Sequence, residues 1–261
     1  MLAVTAKAPF SESGWWFETK WDGYRAIISR GEALRIYSRR GHDLIAWYPV
    51  LKEVGDSVPK QVVLDAELVA WANGRPDFHA LQQRTADHYL LMVFDCLYAR
   101  GRWMLHEPLA IRLEMLHQEV QTRGMIVLTE GVRDVGERYY QAIQSADLEG
   151  VMAKRLTSAY LPGRRSPTWQ KFLVLKTGWF WVAAVQRHPE NGWYWHLAER
   201  RGGRAVPVGR VRAPSDWVAP MSQTGEELQE PFPVEVSYRE ITREGHLRHA
   251  RVRQWHPSTL A

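Results

Sequence analysis

Lys20-Trp21-Asp22-Gly23-Tyr24-Arg25 sets one amine nucleophile beside a carboxylate, a glycine turn and a guanidinium. The combination suits covalent capture of a nucleotide. A lysine is almost fully protonated at neutral pH, and it attacks phosphorus only when cationic neighbours or a metal favour the free amine. Later segments must therefore supply positive charge. Asp22 and Gly23 read as the turn that presents the amine, with glycine allowing a backbone approach that a side chain would block.

Working outward, apolar or alternating runs predict strands at Trp15–Thr19, Tyr24–Ser29, Leu34–Tyr37, Val62–Trp71, Tyr89–Cys96 and Met125–Thr129. Helical periodicity fits Pro108–Gln121 and Val135–Ala146. Asp134 followed by Glu137 has the spacing of a capping box for the second helix. The first part is thus an α+β domain with antiparallel sheets and flanking helices. Every lysine lies at or before Lys176, which places a boundary between residues 1–176 and 177–261. The second part offers short strands at Trp179–Gln186, Trp193–Glu199, Ala205–Val211, Val234–Ile241 and Leu247–Trp255. Glu190-Asn191-Gly192 marks a hairpin turn, and Pro231 and Pro233 punctuate the approach to a strand. Five strands with polar turns predict a small all-β barrel.

The 261 residues carry 34 basic and 29 acidic side chains, a net charge of +5, which fits a polyanionic partner. Cys96 is the single cysteine, so an internal disulfide and a multi-cysteine zinc site are excluded. No run approaches the roughly 20 apolar residues of a membrane span, and Met1–Phe10 has no signal core. A monomer of the cytoplasm, associated with the nucleoid, is the expectation.

Further motifs follow the lysine in order: Leu64-Asp65-Ala66-Glu67-Leu68, Val93-Phe94-Asp95, Glu149-Gly150-Val151-Met152-Ala153-Lys154-Arg155, and Trp169-Gln170-Lys171. With Met1-Leu2-Ala3, Ser38-Arg39-Arg40-Gly41 and the run Ser158 to Ser166, the set resembles ATP-dependent DNA ligases of the covalent nucleotidyltransferase superfamily. The resemblance is strongest to compact bacterial ligases and to the ligase module of bacterial end-joining enzymes. It implies an ATP-grasp-like nucleotidyltransferase domain followed by an OB-fold.

The resemblance implies a role for each residue. Lys20 is the nucleophile that carries AMP from ATP, and Lys154 and Lys171 are the cations that neutralise the α-phosphate and crowd Lys20. Arg25 and Glu67 grip the ribose, Glu18 reads the adenine amino group and so favours ATP over GTP, and Phe94 stacks on the base. Glu149, with Glu67 sharing, holds Mg2+ or Mn2+. Arg39 holds the 5′-phosphate of nicked duplex DNA, and Arg164 and Arg165 reach phosphates from a loop. In the second domain Arg248, Arg251 and Arg253 lie in a strip from Gly245 to His256 that has three arginines, three histidines and no acid. A DNA-end-binding or repair protein is a partner by analogy.

Each of these residues also has a plain structural explanation: a solvated lysine, an internal ion pair, a core phenylalanine. Two departures matter. Leu173 stands where relatives carry a second lysine after the tryptophan, with Lys176 an open substitute, and Arg251-Val252-Arg253 is not followed by the usual Asp-Lys. An RNA ligase or capping-type enzyme, and a nucleic-acid-binding module with a degenerate nucleotide site, therefore stay open as alternatives.

Overall fold

The computed structural model describes residues 1–217, 227–242 and 244–255. The chain divides into two compact units, Met1–Val174 and Leu175–Ala261. In the first, the strands are β1 Leu2–Thr5, β2 Trp15–Thr19, β3 Tyr24–Arg30, β4 Leu34–Ser38, β5 Val62–Ala72 and β6 Arg75–Pro76. They continue with β7 His88–Ala99, β8 Arg102–Trp103, β9 Ile126–Leu128, β10 Gly131–Arg133, β11 Gly150–Arg155 and β12 Arg165–Leu173. The α-helices are α1 Leu44–Trp47, α2 Phe78–Gln83, α3 Leu109–Glu119 and α4 Gly136–Ser145.

These strands form two sheets. One runs β4-β3-β5-β7-β8 with β6 and β9 alongside, and the other β1-β12-β11-β2-β10. Strands β2 and β3 are consecutive yet belong to different sheets, so residues 20–23 are the crossover between them. Gly23 is required there by proximity: a Cβ at this position would sit 2.0 Å from the Leu68 carbonyl oxygen. The crossover is a bend without a regular turn. The first sheet is cored by Ile28, Ile36, Leu64, Leu68 and Val93, with Leu44 of α1 and Leu116 of α3 closing it. The second sheet buries Phe17, Val151 and Phe172 against Ile143 of α4.

Local capping departs from the sequence expectation. Asp134 does not open α4; it takes a left-handed φ of 66° and its Oδ1 accepts the Gly14 N–H at 2.8 Å, tying the helix to the start of β2. The Glu137 N–H donates instead to Ser11 Oγ, from a distant segment. Helix α3 is fixed by Arg112, whose Nε and Nη2 donate to Asp95 of β7 at 2.8 and 2.9 Å, with both partners fully buried.

The second unit contains β13 Lys176–His188, β14 Gly192–Arg201, β15 Arg204–Arg212, β16 Glu227–Tyr238, β17 Glu240–Ile241, β18 Leu247–Arg248 and β19 Arg251–Trp255. Five of them form an antiparallel sheet in the order β15-β14-β13-β16-β19, and its edge strands β15 and β19 approach each other, curling it into an OB-like half-barrel. Trp195 fills the interior, edge-on to Trp217, Phe232 and Trp255. Pro231 and Pro233 lie inside β16 rather than before it. Among the described residues, pairing with β19 begins at Val234, so their missing N–H groups cost no ladder bond there. The single strand expected over Leu247–Trp255 is broken at His249, which has a φ of 55°. Among the described residues no helix is long and apolar enough to cross a membrane.

Candidate active site

A cleft of about 740 Å³ opens in the first unit, a volume in the range of small-molecule sites. Lys20 enters it directly after β2, held by its own N–H to the Gly150 carbonyl at 2.9 Å. Strand pairing of Thr19 with Val151 brings Lys20 beside Glu149, and its Nζ donates to Glu149 Oε2 at 2.7 Å. Gly150 also lets the start of β11 lie close against β12, since a Cβ there would fall 2.0 Å from the Phe172 carbonyl oxygen. Below the lysine, Thr19 Oγ1 and the Tyr139 hydroxyl share a hydrogen bond of 3.0 Å that anchors the end of β2 to α4.

Lys154 is fully buried, although an unpaired buried ammonium is costly. It is stabilised by an ion pair with Glu18, itself 2% exposed, and by two ring faces: Nζ lies 4.3 Å from the Phe94 centroid and 4.4 Å from that of Trp169. Trp16 Nε1 donates to the other Glu18 oxygen at 2.9 Å. Burial pushes the Glu18 carboxyl upward, while Lys154 and Trp16 pull it back. The nearest charge to Lys154 is thus a carboxylate, and the same holds for Lys20. Beside the cations Lys154 and Lys171, the site thus carries matched pairs, Lys20 with Glu149 and Lys154 with Glu18.

Arg25, expected at the ribose, directs all three guanidinium nitrogens inward. Nε donates to Asp65 Oδ1 at 2.9 Å, Nη2 to Asp65 Oδ2 and to the Tyr160 hydroxyl, and Nη1 to the Met1 carbonyl. The pairing has a physical reason, since Asp65 is fully buried and needs a forked partner, and Arg25 also lines the cleft. Its cross-strand neighbour Glu67 lines the cleft. Burial raises the Glu67 carboxyl to about 8, against the opposing pull of Lys20 and Arg25.

Among the other expected residues, Phe94, Lys171, Arg39 and Arg165 line the same cleft, whereas Arg164 does not. Arg165 also donates to the Ala3 carbonyl. Leu173 pairs with Gly150 at the end of β12. In the second unit Arg248 is bonded to Glu240 at 2.7 Å, and Arg251 and Arg253 are exposed along β19; His256 lies outside the described residues. Among the described residues no group of three or more His, Cys, Asp or Glu could hold a metal. Glu67 and Glu149, which sense each other electrostatically beside Lys20, instead offer the sparse carboxylate set that magnesium uses when phosphate supplies the remaining oxygens.

The sequence reading missed Asp65, Tyr160 and the walls that Trp169 and Trp16 build around Lys154 and Glu18. Only Asp65 carried a signal, a carboxylate inside an apolar strand that must find a partner.

A family model described as the ATP dependent DNA ligase domain matches residues 1–172. The chain is 30% identical over 192 residues to the SPbeta prophage-derived DNA ligase-like protein LigB of Bacillus subtilis, covering 69% of this chain and 70% of that protein. It is 33% identical over 216 residues to the multifunctional non-homologous end joining protein LigD of Mycolicibacterium smegmatis, covering 81% of this chain but only 27% of that protein. Among solved structures, the ligase domain of M. tuberculosis LigD superposes with a TM-score of 0.63 at 29% identity, covering 99% of this chain and 94% of that one. A mycobacterial DNA ligase D complexed with ATP and MES gives a TM-score of 0.61 at 27% identity, covering 98% of this chain and 94% of that one.

Proposed function

This chain belongs to the ATP-dependent DNA ligase family, and from that premise we propose that it seals nicks between a 5′-phosphate and a 3′-hydroxyl in duplex DNA through AMP carried on Lys20. The observation that supports this most is the Lys20 amine, 2.7 Å from Glu149, in a cleft that also gathers Glu67, Phe94, Lys154 and Lys171.

In the first step Lys20, part-open to solvent, releases a proton to water, gives up its bond to Glu149, and attacks the α-phosphorus of ATP. The N–P bond forms as the α–β phosphoanhydride bond breaks, and pyrophosphate leaves. In the second, an oxygen of the DNA 5′-phosphate attacks the lysyl-AMP phosphorus, and the amine departs. In the third, the 3′-hydroxyl attacks the activated 5′-phosphate, releasing its proton to water, closing the backbone and expelling AMP. A divalent cation at Glu67 and Glu149, magnesium or manganese, would supply charge neutralisation at the phosphates. Lys171 faces the same charge from β12. Lys154 and Trp16 fix the orientation of the Glu18 carboxyl, whose oxygens can accept a hydrogen bond from the adenine amino group. Phe94 offers the base a ring, and Glu67 the ribose a carboxyl.

Residues 1–176 are proposed as the adenylation domain and 177–261 as an OB-fold domain that binds DNA, with Arg248, Arg251 and Arg253 meeting phosphates. The likeness to end-joining proteins supports a role in repair of breaks, and a protein that holds DNA ends is the partner proposed by analogy. Incubation with α-labelled ATP and magnesium, chased with a nicked duplex, tests the reading. A denaturation-resistant label that is absent in Lys20→Ala and leaves the protein on addition of DNA is expected. No adduct would favour a binding module, and transfer only to nicked RNA would favour an RNA ligase.

A further inference from the structure

Ten residues, Ser38 to Trp47, form a compact rim on the cleft. The turn after β4 is closed by Ser38 N–H to the His42 carbonyl at 2.8 Å and Gly41 N–H to the Ser38 carbonyl at 2.9 Å, with Gly41 at a φ of 82°. The His42 N–H donates to Ser38 Oγ at 3.1 Å, and Asp43 caps α1 through the N–H groups of Ile45 and Ala46. On this braced frame the rings of His42 and Trp47 stack with centroids 5.0 Å apart and planes 23° apart. Both rings are exposed, Trp47 by 37%, and both line the cleft together with Arg39 and Arg40. The two stacked rings give this turn a partly exposed apolar face at the edge of the cleft.

The charge beside the pair identifies what covers it. Arg39, Arg40 and Arg165 add positive charge to this rim beyond the matched pairs at the cleft floor, so the cover is polyanionic. At a nick the bases remain paired and stacked, and the apolar surface adjoining a backbone phosphate is the sugar. We propose that His42 and Trp47 form a platform that packs against the deoxyribose of the nucleotide bearing the 5′-phosphate, and that this contact selects deoxyribose at that position. The inference rests on the ligase reading and on Arg39 meeting the 5′-phosphate three residues away. A ribose there would press its 2′-hydroxyl against ring carbon and leave it without a hydrogen-bond partner.

The test is single-turnover sealing by enzyme already carrying AMP, on paired nicks whose 5′-phosphorylated nucleotide is either deoxyribose or ribose. Wild-type protein is expected to seal the deoxyribose nick faster by about tenfold, the size of one buried unsatisfied hydroxyl. Trp47→Ala and His42→Ala should slow the deoxyribose nick most and bring the two rates together, and Trp47→Phe should retain the preference. Equal wild-type rates on both nicks, or an equal slowing of both by Trp47→Ala, would overturn the platform, the second outcome marking a purely structural role for α1. Failure of wild-type protein to form an adduct or seal either nick would instead overturn the ligase reading itself.

Discussion

Glu67 shows how one residue encodes both a site and a cost. Its carboxyl titrates near 8 when folded and from 4.5 as the unfolded reference, so the folded state holds a proton that the unfolded chain has already released across that window. The stability contributed by the protonated form is complete below pH 4.5 and lost as pH rises toward 8. Melting of wild type and Glu67→Gln from pH 4.5 to 8.5 should show the variant gaining relative stability as pH rises; a constant difference would refute the shift. Gly23 is constrained by space rather than by φ. Gly23→Ala forces a Cβ into the Leu68 carbonyl and should destabilise the protein by about 1–3 kcal/mol, measurable by urea titration. Cys96 is buried, and burial pushes its thiol up to about 12. It should resist thiol reagents at pH 8 until the protein is denatured.

At the scale of elements, β2 and β3 leave the same six-residue motif for different sheets, which is why the motif makes a cleft and not a hairpin. Helix α3 depends on the Arg112–Asp95 pair. Arg112→Ala should cost about 3–5 kcal/mol by leaving Asp95 buried and unpaired, whereas a paired exchange to Met and Asn should recover much of that loss in thermal melts. The strands with apolar runs, β2 to β5 and β7, were legible in the sequence because their periodicity is local. The strands β1, β10, β11 and β12 were not read as strands: β1 is four residues paired in parallel with β12, and β12 itself begins Arg-Ser-Pro-Thr, with no apolar alternation to reveal it. The capping role assigned to Asp134 failed because Gly14 and Trp15, 120 and 119 residues away, compete for the same carboxylate. The same limit applies within the site. Order and spacing gave the motif residues, but the pairing of Lys154 with Glu18 and of Arg25 with Asp65 is tertiary, set by which strands adjoin.

For the whole molecule, the proposed reading assigns chemistry and DNA binding to differently charged regions. Matched pairs line the cleft floor, and arginines occupy its rim and the second unit. Arg39→Ala should therefore impair nick sealing more than adduct formation, and equal losses in both assays would refute its place at the 5′-phosphate. DNA affinity should fall steeply with salt, the slope shrinking by about one on loss of a single phosphate contact. The most direct test of the account is intact-mass measurement with peptide mapping after exposure to ATP and magnesium. A gain of about 329 Da on Lys20 is expected, matching AMP joined through nitrogen. No gain, or a gain on another residue, would contradict it.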